Sequence, residues 1–365
     1  MRARPTQFLV TAVLIGAWAP TAPGKGFSWK EYKNKPDEWF RSAEARPIID
    51  NILSHQSPPG SWPKNLDTSK EPYRGDPSKI EGTFDNGATF DELRFLARAY
   101  RATGATRVRD AFLKGFMLVL SAQYPCGGFP QRFPNNKKGY DRYITFNDGT
   151  MVHILEFLRD VGESDEFAFV DAERRAAARR SFDRGIVCIL ACQIKVGERL
   201  TAWCAQHDPT TLEPRPARTY ERVSLSGGES AGVLMLLMSL DRPGPDMVRA
   251  IEAGVRWYDA VKLSDIRVEK RNGDTRVVRD PGAPPLWARF YEIGTNRPFF
   301  CGRDGVKRYD LAEIEPERRN GYAWYGDWGT HVEKAYRNWK GRRLMDRTVR
   351  ERPVHPITPA QPPSP

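Results

Sequence analysis

Residues 83–87 read Thr-Phe-Asp-Asn-Gly and residues 145–149 read Thr-Phe-Asn-Asp-Gly, and an apolar helical run follows each of them. The likeness continues into those runs, because LRFL at 93–96 and LEFL at 155–158 lie at the same distance from the glycine. A looser third copy begins with SGGES at 226–230 and leads into another apolar run. Helical segments that recur at such a period indicate stacked or ring-closed α-hairpins.

A second unit recurs between these copies: a helix that ends near a glutamine, followed by a loop with an aromatic residue. Its copies are LSHQ before GSWP at 53–63, LSAQ before GGFP at 120–130 and, more weakly, LACQ before TAW at 190–203. Each period is therefore predicted to be a helix, a loop and a return helix. No break in composition divides residues 27–345, so we expect one catalytic domain over that range.

The two ends of the chain differ from this central region. Four residues rich in arginine, an apolar run from Phe8 to Trp18 and the small residues around it are typical of a signal peptide, which we assign to residues 1–26. We therefore expect a secreted or periplasmic protein, with a retained N-terminal anchor as the alternative. The apolar run is too short to predict stable insertion in a membrane. Residues 346–365 are rich in proline and poor in apolar side chains, which predicts a disordered tail.

The chain of 365 residues carries a formal net charge of +11 and has a pI near 9.4, which indicates an acidic partner. Nucleic acid, anionic lipid and acidic polysaccharide all match this charge. The sequence lacks helix-turn-helix, RNP-type and zinc-finger motifs, so we do not expect nucleic acid. It also lacks the P-loop, dinucleotide-binding and nucleophile-elbow motifs, so nucleotide binding and serine-hydrolase chemistry have no support.

Arginines in the second half of the chain recur beside aromatic residues in loop-like segments. The guanidinium fork binds carboxylates through two parallel hydrogen bonds, and aromatic rings offer flat faces to sugars. A structural ion pair with a neighbouring carboxylate is the alternative for each arginine. The candidate arginines and these neighbours are Arg218 with Glu221, Arg289 with Glu292, Arg303 with Asp304, and Arg318 and Arg319 with Glu317.

The repeated Asp/Asn pairs are candidate metal ligands, because hard cations such as calcium favour carboxylate and amide oxygens. The alternative is helix capping, in which short polar side chains accept hydrogen bonds from free backbone N–H groups. Asn86 and Asn147 fit either role. The five histidines are scattered, so a zinc site is not expected. The five cysteines follow no CxxC spacing, and we expect most of them to be small buried residues.

Nine segments in order between Trp39 and Trp339 carry a wider pattern. They read GSWPKN, TFDNGATFDELRFLARAY, YPCGGFPQRFP, ITFNDGTM, WCAQHD, ARTYE, SLSGGES, PPLWARFYEIGTNRPFF and ERRNGYAWYG. Together they resemble the polysaccharide lyase family 10 pectate lyases. The resemblance implies an all-α fold with minor β structure, an irregular α/α toroid of the (α/α)3 barrel type made of helical hairpins with long loops. It also implies calcium-dependent β-elimination in polygalacturonate (pectate), and we expect a monomeric enzyme.

The resemblance assigns roles to single residues. Asp85, Asn86 and Asp148 match the family's calcium site, and Arg218 of ARTYE matches its Brønsted base. The binders of the substrate carboxylate are matched by Arg289, Arg303 and Arg318, with Arg319 as the alternative to Arg318 by a one-residue slip. The chain departs from the family pattern at Cys126 and at Glu198-Arg199-Leu200.

β-Elimination in a uronide places chemical requirements on the residues assigned to these roles. Removing the C-5 proton of a uronide is difficult while the adjacent carboxylate is negative, so cations must neutralise that carboxylate. A guanidinium also has a pKa above 12 in water, and crowding by other cations is expected to lower the pKa of Arg218 toward that of a usable base. An alkaline activity optimum follows. Unsaturated oligogalacturonides would be the products.

Two other classes of function fit parts of the pattern. Asp85 and Asp148 could be the acid/base pair of an inverting α/α-toroid glycoside hydrolase, which would need no calcium and would release saturated products. A non-catalytic module that binds acidic polysaccharide could have kept the cleft without turnover. The hydrolase would not need four cationic sites, and the presence of Asp85, Asp148 and Arg218 together argues against the module.

Overall fold

Paired helices are the main regular elements of the computed structural model, which describes residues 25–135 and 139–350, with side chains up to residue 343. The α-helices of these residues are α1 (Asp37–Arg41), α2 (Ala45–Ser54), α3 (Phe90–Thr103), α4 (Thr106–Ser121), α5 (Thr150–Glu163), α6 (Ala172–Cys192), α7 (Glu229–Met238), α8 (Pro245–Ala260), α9 (Pro316–Asn320) and α10 (Trp328–Arg350).

The helices form two layers. Helices α3, α5 and α7 contact one another in turn and form the inner layer, while α2, α4, α6 and α8 form the outer layer in the same order. Most side chains of α5 and α7 are buried, as expected for helices surrounded by others. Helix α10 packs against α7 and α8 at the end of the series. This is the predicted toroid of helical hairpins.

The recurring glutamines explain how successive hairpins are joined. Gln56 Nε2 donates to the carbonyl of Gly60 in its own loop, at 3.1 Å, and to that of Ala111 in α4, at 2.9 Å. Gln123 bridges its own loop to α6 in the same way, and Gln193 bridges its loop to α8. One side chain per repeat therefore satisfies buried carbonyls of a loop and of the next outer helix, which accounts for the second motif found in the sequence.

Strands are short and lie in the long loops between helices. They are β1 (Ile144–Thr145), β2 (Lys195–Val196), β3 (Arg199–Leu200), β4 (Gln206–His207), β5 (Pro214–Arg215), β6 (Leu225–Ser226), β7 (Ile266–Arg271), β8 (Asp274–Arg279), β9 (Trp287–Ala288), β10 (Phe290–Tyr291), β11 (Phe300–Cys301), β12 (Lys307–Arg308) and β13 (Tyr325–Gly326). The β1, β4 and β5 strands form one antiparallel sheet, and the other strands pair two by two. In the β7–β8 hairpin Asn272 and Gly273 both have positive φ, as the Asn-Gly dipeptide predicts.

A second apolar cluster lies beneath the loops of the second half. Tyr220, Phe290, Phe300 and Trp324 are among its buried residues, and it is separate from the main core between the helices. The backbone N–H of Arg289 donates to the carbonyl of Trp324 at 2.7 Å. This cluster packs beneath the loops and the short helix α9 that carry the candidate arginines.

The cysteines and the chain ends complete the description. All five cysteines are free thiols and four of them are buried, as expected. Among the described residues, none of the helices is both long and apolar enough to span a bilayer. The predicted signal peptide lies, except for its last two residues, outside the described residues. Helix α10 continues to Arg350, five residues into the predicted tail, and the rest of that tail lies outside the described residues.

Candidate active site

The starts of the three inner helices converge. The 3-10 turn Asp85–Gly87 precedes α3, the 3-10 turn Asn147–Gly149 precedes α5, and the two turns contact each other. The second turn also contacts α7, which begins at Glu229. The repeated motifs of the sequence therefore meet at one end of the toroid.

The two turns have the same backbone shape but carry their carboxylates at different positions. Asn86 and Asp148 occupy the middle of each turn with φ of 55° and 51°, whereas Asp85 and Asn147 occupy the first position and are buried. The middle position is the more open one, so Asp148 is partly exposed while Asp85 is 1 % exposed. The two carboxylates are thus not equivalent in their surroundings.

The capping alternative is wrong for these residues. The N-cap of α3 is Thr89, whose backbone N–H donates to Glu92 Oε2 at 2.8 Å, and the residue before α5 is Gly149. Asn147 Nδ2 instead donates to Asp148 Oδ2 at 2.6 Å. The polar side chains of both turns therefore make no helix-capping hydrogen bond.

Asp85 shares its site with a lysine that was not predicted. Lys64 Nζ donates to Asp85 Oδ2. The other carboxylate oxygen, Oδ1, is buried and has no hydrogen-bond partner among the described residues. A buried carboxylate oxygen without a partner is costly, so this atom is suited to a bound cation or water.

Arg289 joins the second turn to helix α7. Its Nη2 donates to Asp148 Oδ1 at 3.0 Å, to Glu229 Oε1, and at 3.5 Å to Asn147 Oδ1. The side chains of Arg289 and Glu229 are 9 % and 2 % exposed. Arg289 is therefore buried and holds Asp148 in place.

Arg218, whose side chain is 39 % exposed, pairs with the buried Glu221. Its Nε donates to Glu221 Oε2 at 2.7 Å and its Nη2 donates to Oε1 of the same carboxylate. The hydroxyl of Tyr322 donates to Glu221 Oε1 at 2.7 Å, and the Tyr322 ring lies 4.7 Å from the guanidinium carbon of Arg289. Tyr322 thus connects the two arginine pairs.

The third group surrounds the ring of Tyr220. The guanidinium carbons of Arg218, Arg303 and Arg318 lie 5.0, 5.5 and 4.7 Å from its centre. Arg303 and Arg318 both donate to Glu317.

Arg319 binds residues outside the group around Tyr220. It binds Asp274 of the β7–β8 hairpin and the carbonyls of Ala312 and Ile314. Of the two adjacent arginines, Arg318 is the one placed beside Arg218 and Arg303.

The hydroxyl of Tyr140 is affected both by the arginine group and by the first Asp/Asn turn. Burial raises the pKa of Tyr140, and Arg218, Glu221 and Asp85 also contribute to that pKa. Tyr322 joins the two parts directly, because its hydroxyl donates to Glu221 and its ring lies 4.7 Å from the guanidinium carbon of Arg289, which binds Asp148. The arginine group and the two contacting Asp/Asn turns therefore belong to one site.

The electrostatics of Arg218 differ from the expectation. Burial alone would lower its pKa, but the hydrogen bonds and the charge of Glu221 outweigh burial and raise the pKa above the ordinary value. The pKa of Arg289 is raised for the same reason, by Glu229 and Asp148 against the effect of burial. The prediction that crowding by cations lowers the pKa of Arg218 is wrong in this state of the protein, because the arginines have carboxylate partners.

The expected ion pair with a neighbour in sequence is confirmed for two of the five candidate arginines. Arg218 pairs with Glu221, and Arg318 with Glu317. Asp304 pairs with Arg308 instead of Arg303, and Glu292 binds Lys307 instead of Arg289. The sequence did not predict a site role for six residues, although each of them lies in a quoted motif or was considered as a structural partner. These residues are Lys64, Tyr220, Glu221, Glu229, Glu317 and Tyr322.

The two departures from the family pattern lie away from these residues. The loop of Cys126 packs on α6, since a Cβ at Gly127 would lie 2.2 Å from the carbonyl oxygen of Arg184. Strand β3, which contains Arg199 and Leu200, packs on α8 and borders a cavity of about 600 Å³ that contains none of the residues above.

Over residues 25–135 and 139–350, no group of three His, Cys, Asp or Glu side chains is arranged as a metal site. A cation at the two turns would therefore rely on Asp85 and Asp148, with amide or substrate oxygens as further ligands. Oxygen ligands of this kind suit calcium, which accepts six to eight of them in flexible arrangements.

The chain matches the family model described as pectic acid lyase over residues 56–333. A family 10 polysaccharide lyase from Cellvibrio cellulosa is 34% identical, with a TM-score of 0.75, over 87% of this chain and 99% of that one. A mutant family 10 lyase from the same organism, in complex with trigalacturonic acid, is 35% identical, with a TM-score of 0.72, over 81% of this chain and 95% of that one. No curated protein sequence matches the chain significantly.

These matches favour elimination over the hydrolase that Asp85 and Asp148 left open. They also agree with the two-layered helical architecture and with the order of the motifs along the chain. The chain therefore belongs to the pectic acid lyase family and is a family 10 polysaccharide lyase, a pectate lyase.

Proposed function

We propose that this pectate lyase cleaves α-1,4-polygalacturonate by calcium-assisted β-elimination, with Arg218 as the base, and releases unsaturated oligogalacturonides. The observation that carries the proposal is the placement of Arg218, Arg303 and Arg318 around Tyr220, within one site with the Asp/Asn turns. The complex of a similar lyase with trigalacturonic acid supports the choice of substrate.

Substrate carboxylates would bind to the arginine forks. Arg303 is 60 % exposed and lies with Arg318 beside Tyr220, where both guanidinium forks bind the carboxylate of Glu317. Two-point hydrogen bonds fix the plane of a carboxylate as well as its position. Arg289 is buried beside these groups, where it binds both Asp148 and Glu229 and adds positive charge. The ring of one uronide is thereby oriented with its C-5 proton toward Arg218.

Calcium would be held by Asp85, Asn86 and Asp148. The unpartnered Oδ1 of Asp85 and the partly exposed Asp148 on the adjoining turn support this assignment. When bound, the ion would supply positive charge that acidifies the C-5 proton and stabilises the enolate-like charge. Lys64 and Arg289 bind the remaining oxygens of Asp85 and Asp148, and thereby orient both carboxylates.

The base role of Arg218 requires a neutral guanidine, and Glu221 opposes it by raising the pKa. Below that pKa the neutral fraction rises tenfold with each unit of pH, so the rate is expected to rise through the alkaline range. Hydroxide acting as the base would give the same rise. A lysine at 218 separates the two, because its pKa near 10.4 lies within reach of the assay.

The test of the proposed function is to incubate the purified protein with polygalacturonate, with and without a calcium chelator, while following ultraviolet absorbance. An increase that the chelator abolishes and calcium restores is expected, because elimination creates a conjugated uronide. Saturated reducing ends without absorbance would refute elimination. Binding without any product would indicate the non-catalytic module.

We also propose that the protein is exported after removal of residues 1–26 and acts as a monomer. Its family and its basic charge support a role on extracellular acidic polysaccharide. N-terminal sequencing of the protein from the culture medium or periplasm, and light scattering during gel filtration, test the two statements. An intact N-terminus in a membrane fraction, or a stable dimer, would contradict them.

A further inference from the structure

The arginines of the site have two kinds of counter-ion. Glu221, which binds Arg218, and Glu229, which binds Arg289, are each 2 % exposed. Glu317, which binds both Arg303 and Arg318, is 56 % exposed. A buried carboxylate cannot leave its arginine without stranding a charge, whereas an exposed one can exchange with water or with another anion.

The geometry at Glu317 is that of a bound ligand. Arg303 donates from Nε to Glu317 Oε2 at 3.1 Å and from Nη2 to Oε1 at 3.0 Å. Arg318 donates from the same two kinds of nitrogen at 2.9 and 2.6 Å. These hydrogen bonds, first from Arg318 and then from Arg303, lower the pKa of Glu317 to about 2. One carboxylate thus occupies both forks that face the cleft.

We propose that Glu317 is an internal stand-in for a uronate carboxylate, which the substrate must displace from Arg303 and Arg318. The inference rests on the proposed role of these arginines as substrate binders. Arg318 is only 10 % exposed while Glu317 occupies its fork, so displacement also opens Arg318 to the ligand. Glu317 lies in the short helix α9, and its side chain is already more than half exposed to solvent.

Displacement makes substrate binding an exchange of one carboxylate for another. Each arginine keeps a charged partner before and after binding, so neither fork is left unpaired in the free enzyme. The affinity for a single uronate is lower than two free arginines would give, and release of the product is correspondingly easier. Glu317 therefore limits the affinity of the enzyme for its substrate and product.

The experiment compares Glu317→Gln with the matched control Asp304→Asn. Asp304 is another exposed carboxylate of the same region, but it pairs with Arg308, outside the site. Dissociation constants of saturated trigalacturonate are measured by calorimetry, and KM and kcat on polygalacturonate by ultraviolet absorbance, at two ionic strengths. The two ion pairs at the exposed Glu317 correspond to an expected decrease in Kd and KM of about three- to tenfold in E317Q, with kcat retained. The D304N protein should match the parent.

Three outcomes would overturn the inference. The KM of E317Q could rise, which would mean that Glu317 positions the arginines, or its Kd and KM could stay unchanged. An equal decrease of Kd and KM in D304N would instead indicate a general effect of charge. Glu317→Ala is measured in parallel, with thermal unfolding of every variant, so that a folding defect in one variant does not decide the result. A parent protein that neither binds nor cleaves polygalacturonate would refute the proposed function instead. An active parent with an unimproved E317Q refutes only this inference.

Discussion

Replacing Glu229 by glutamine removes the buried negative charge that balances Arg289. Arg289 Nη2 donates to Glu229 Oε1 and, at 3.0 Å, to Asp148 Oδ1, and both members of the buried pair are less than a tenth exposed. Breaking a buried ion pair from one side costs about 3–5 kcal/mol, because the remaining charge stays out of water. Asp148 still balances part of this charge, so we expect E229Q to lose about 3 kcal/mol of unfolding free energy.

A double-mutant cycle with Arg289→Met isolates the pair. Each single variant leaves one buried charge without its partner, whereas E229Q/R289M leaves neither. The double variant should therefore be more stable than the sum of the single effects predicts, by a coupling energy of about 2 kcal/mol. The exposed pair of Lys262 and Asp259 is a control, and its cycle should give less than about 0.5 kcal/mol.

The free energies are measured by denaturant unfolding, followed by circular dichroism and tryptophan fluorescence. A chelator is present throughout, because cation binding to the folded state would add to the apparent stability. Refolding is verified at each denaturant concentration, since a chain of this size can unfold irreversibly. Effects of E229Q and R289M that add to within about 0.5 kcal/mol would refute the coupling.

The same two variants should change calcium affinity in opposite directions. In E229Q the whole charge of Arg289 falls on Asp148, which weakens the proposed cation site. In R289M the oxygen Oδ1 of Asp148 is released and calcium should bind more tightly. Calorimetric titration with calcium measures both, and changes of the same sign would disprove that Asp148 links Arg289 to the cation.

Three further predictions concern titration and metal binding. Burial raises the pKa of Glu92 from 4.5 to about 8, so the folded state holds a proton that the unfolded state releases. The free energy of unfolding should therefore fall, by up to about 1.4 kcal/mol per pH unit, as the pH rises from 4.5 to 8. Glu92→Gln should remove this slope when unfolding is measured as a function of pH. In the pH–rate profile, Arg218→Lys should reduce kcat and give a plateau near pH 10, and a rate that keeps rising to pH 11 would assign the base to hydroxide. Asp85→Asn should weaken calcium binding at least tenfold by titration, whereas unchanged binding would place the cation elsewhere.

The sequence predicts the helices, and that the Asp/Asn motifs before them meet, because each copy of the repeat places the motif at the same distance from the helix that follows. The motif TFDNG recurs as TFNDG, and the same backbone follows, with a left-handed residue in the middle of each turn. The swap of Asp and Asn within the motif decides which carboxylate is buried. Only the structure distinguishes the closed first position of Asp85 from the open middle position of Asp148.

The counter-ions could not be predicted in the same way. Arg289 and Glu229 lie 60 residues apart, and Tyr322 and Glu221 lie 101 apart, so the chain gives no local signal for either contact. Sequence neighbours mislead here, since Asp304 follows Arg303 but binds Arg308. The pKa of Arg218 is raised chiefly by Glu221, a neighbour in sequence, and a count of nearby cations that left out this carboxylate therefore predicted the wrong sign.

The balance of charge in the site explains why both a cation and a displaceable carboxylate are needed. The ion pairs described above contain five positive and five negative side chains, which are Lys64, Arg218, Arg289, Arg303 and Arg318 against Asp85, Asp148, Glu221, Glu229 and Glu317. The excess charge of the whole chain attracts a polyanion from a distance, but this set by itself is neutral. A uronate then gains charge-assisted contacts only if a divalent cation is added or one internal carboxylate leaves. The two routes are separable, because E317Q measured in chelator should bind trigalacturonate more tightly than the parent in chelator, while both remain without lyase activity.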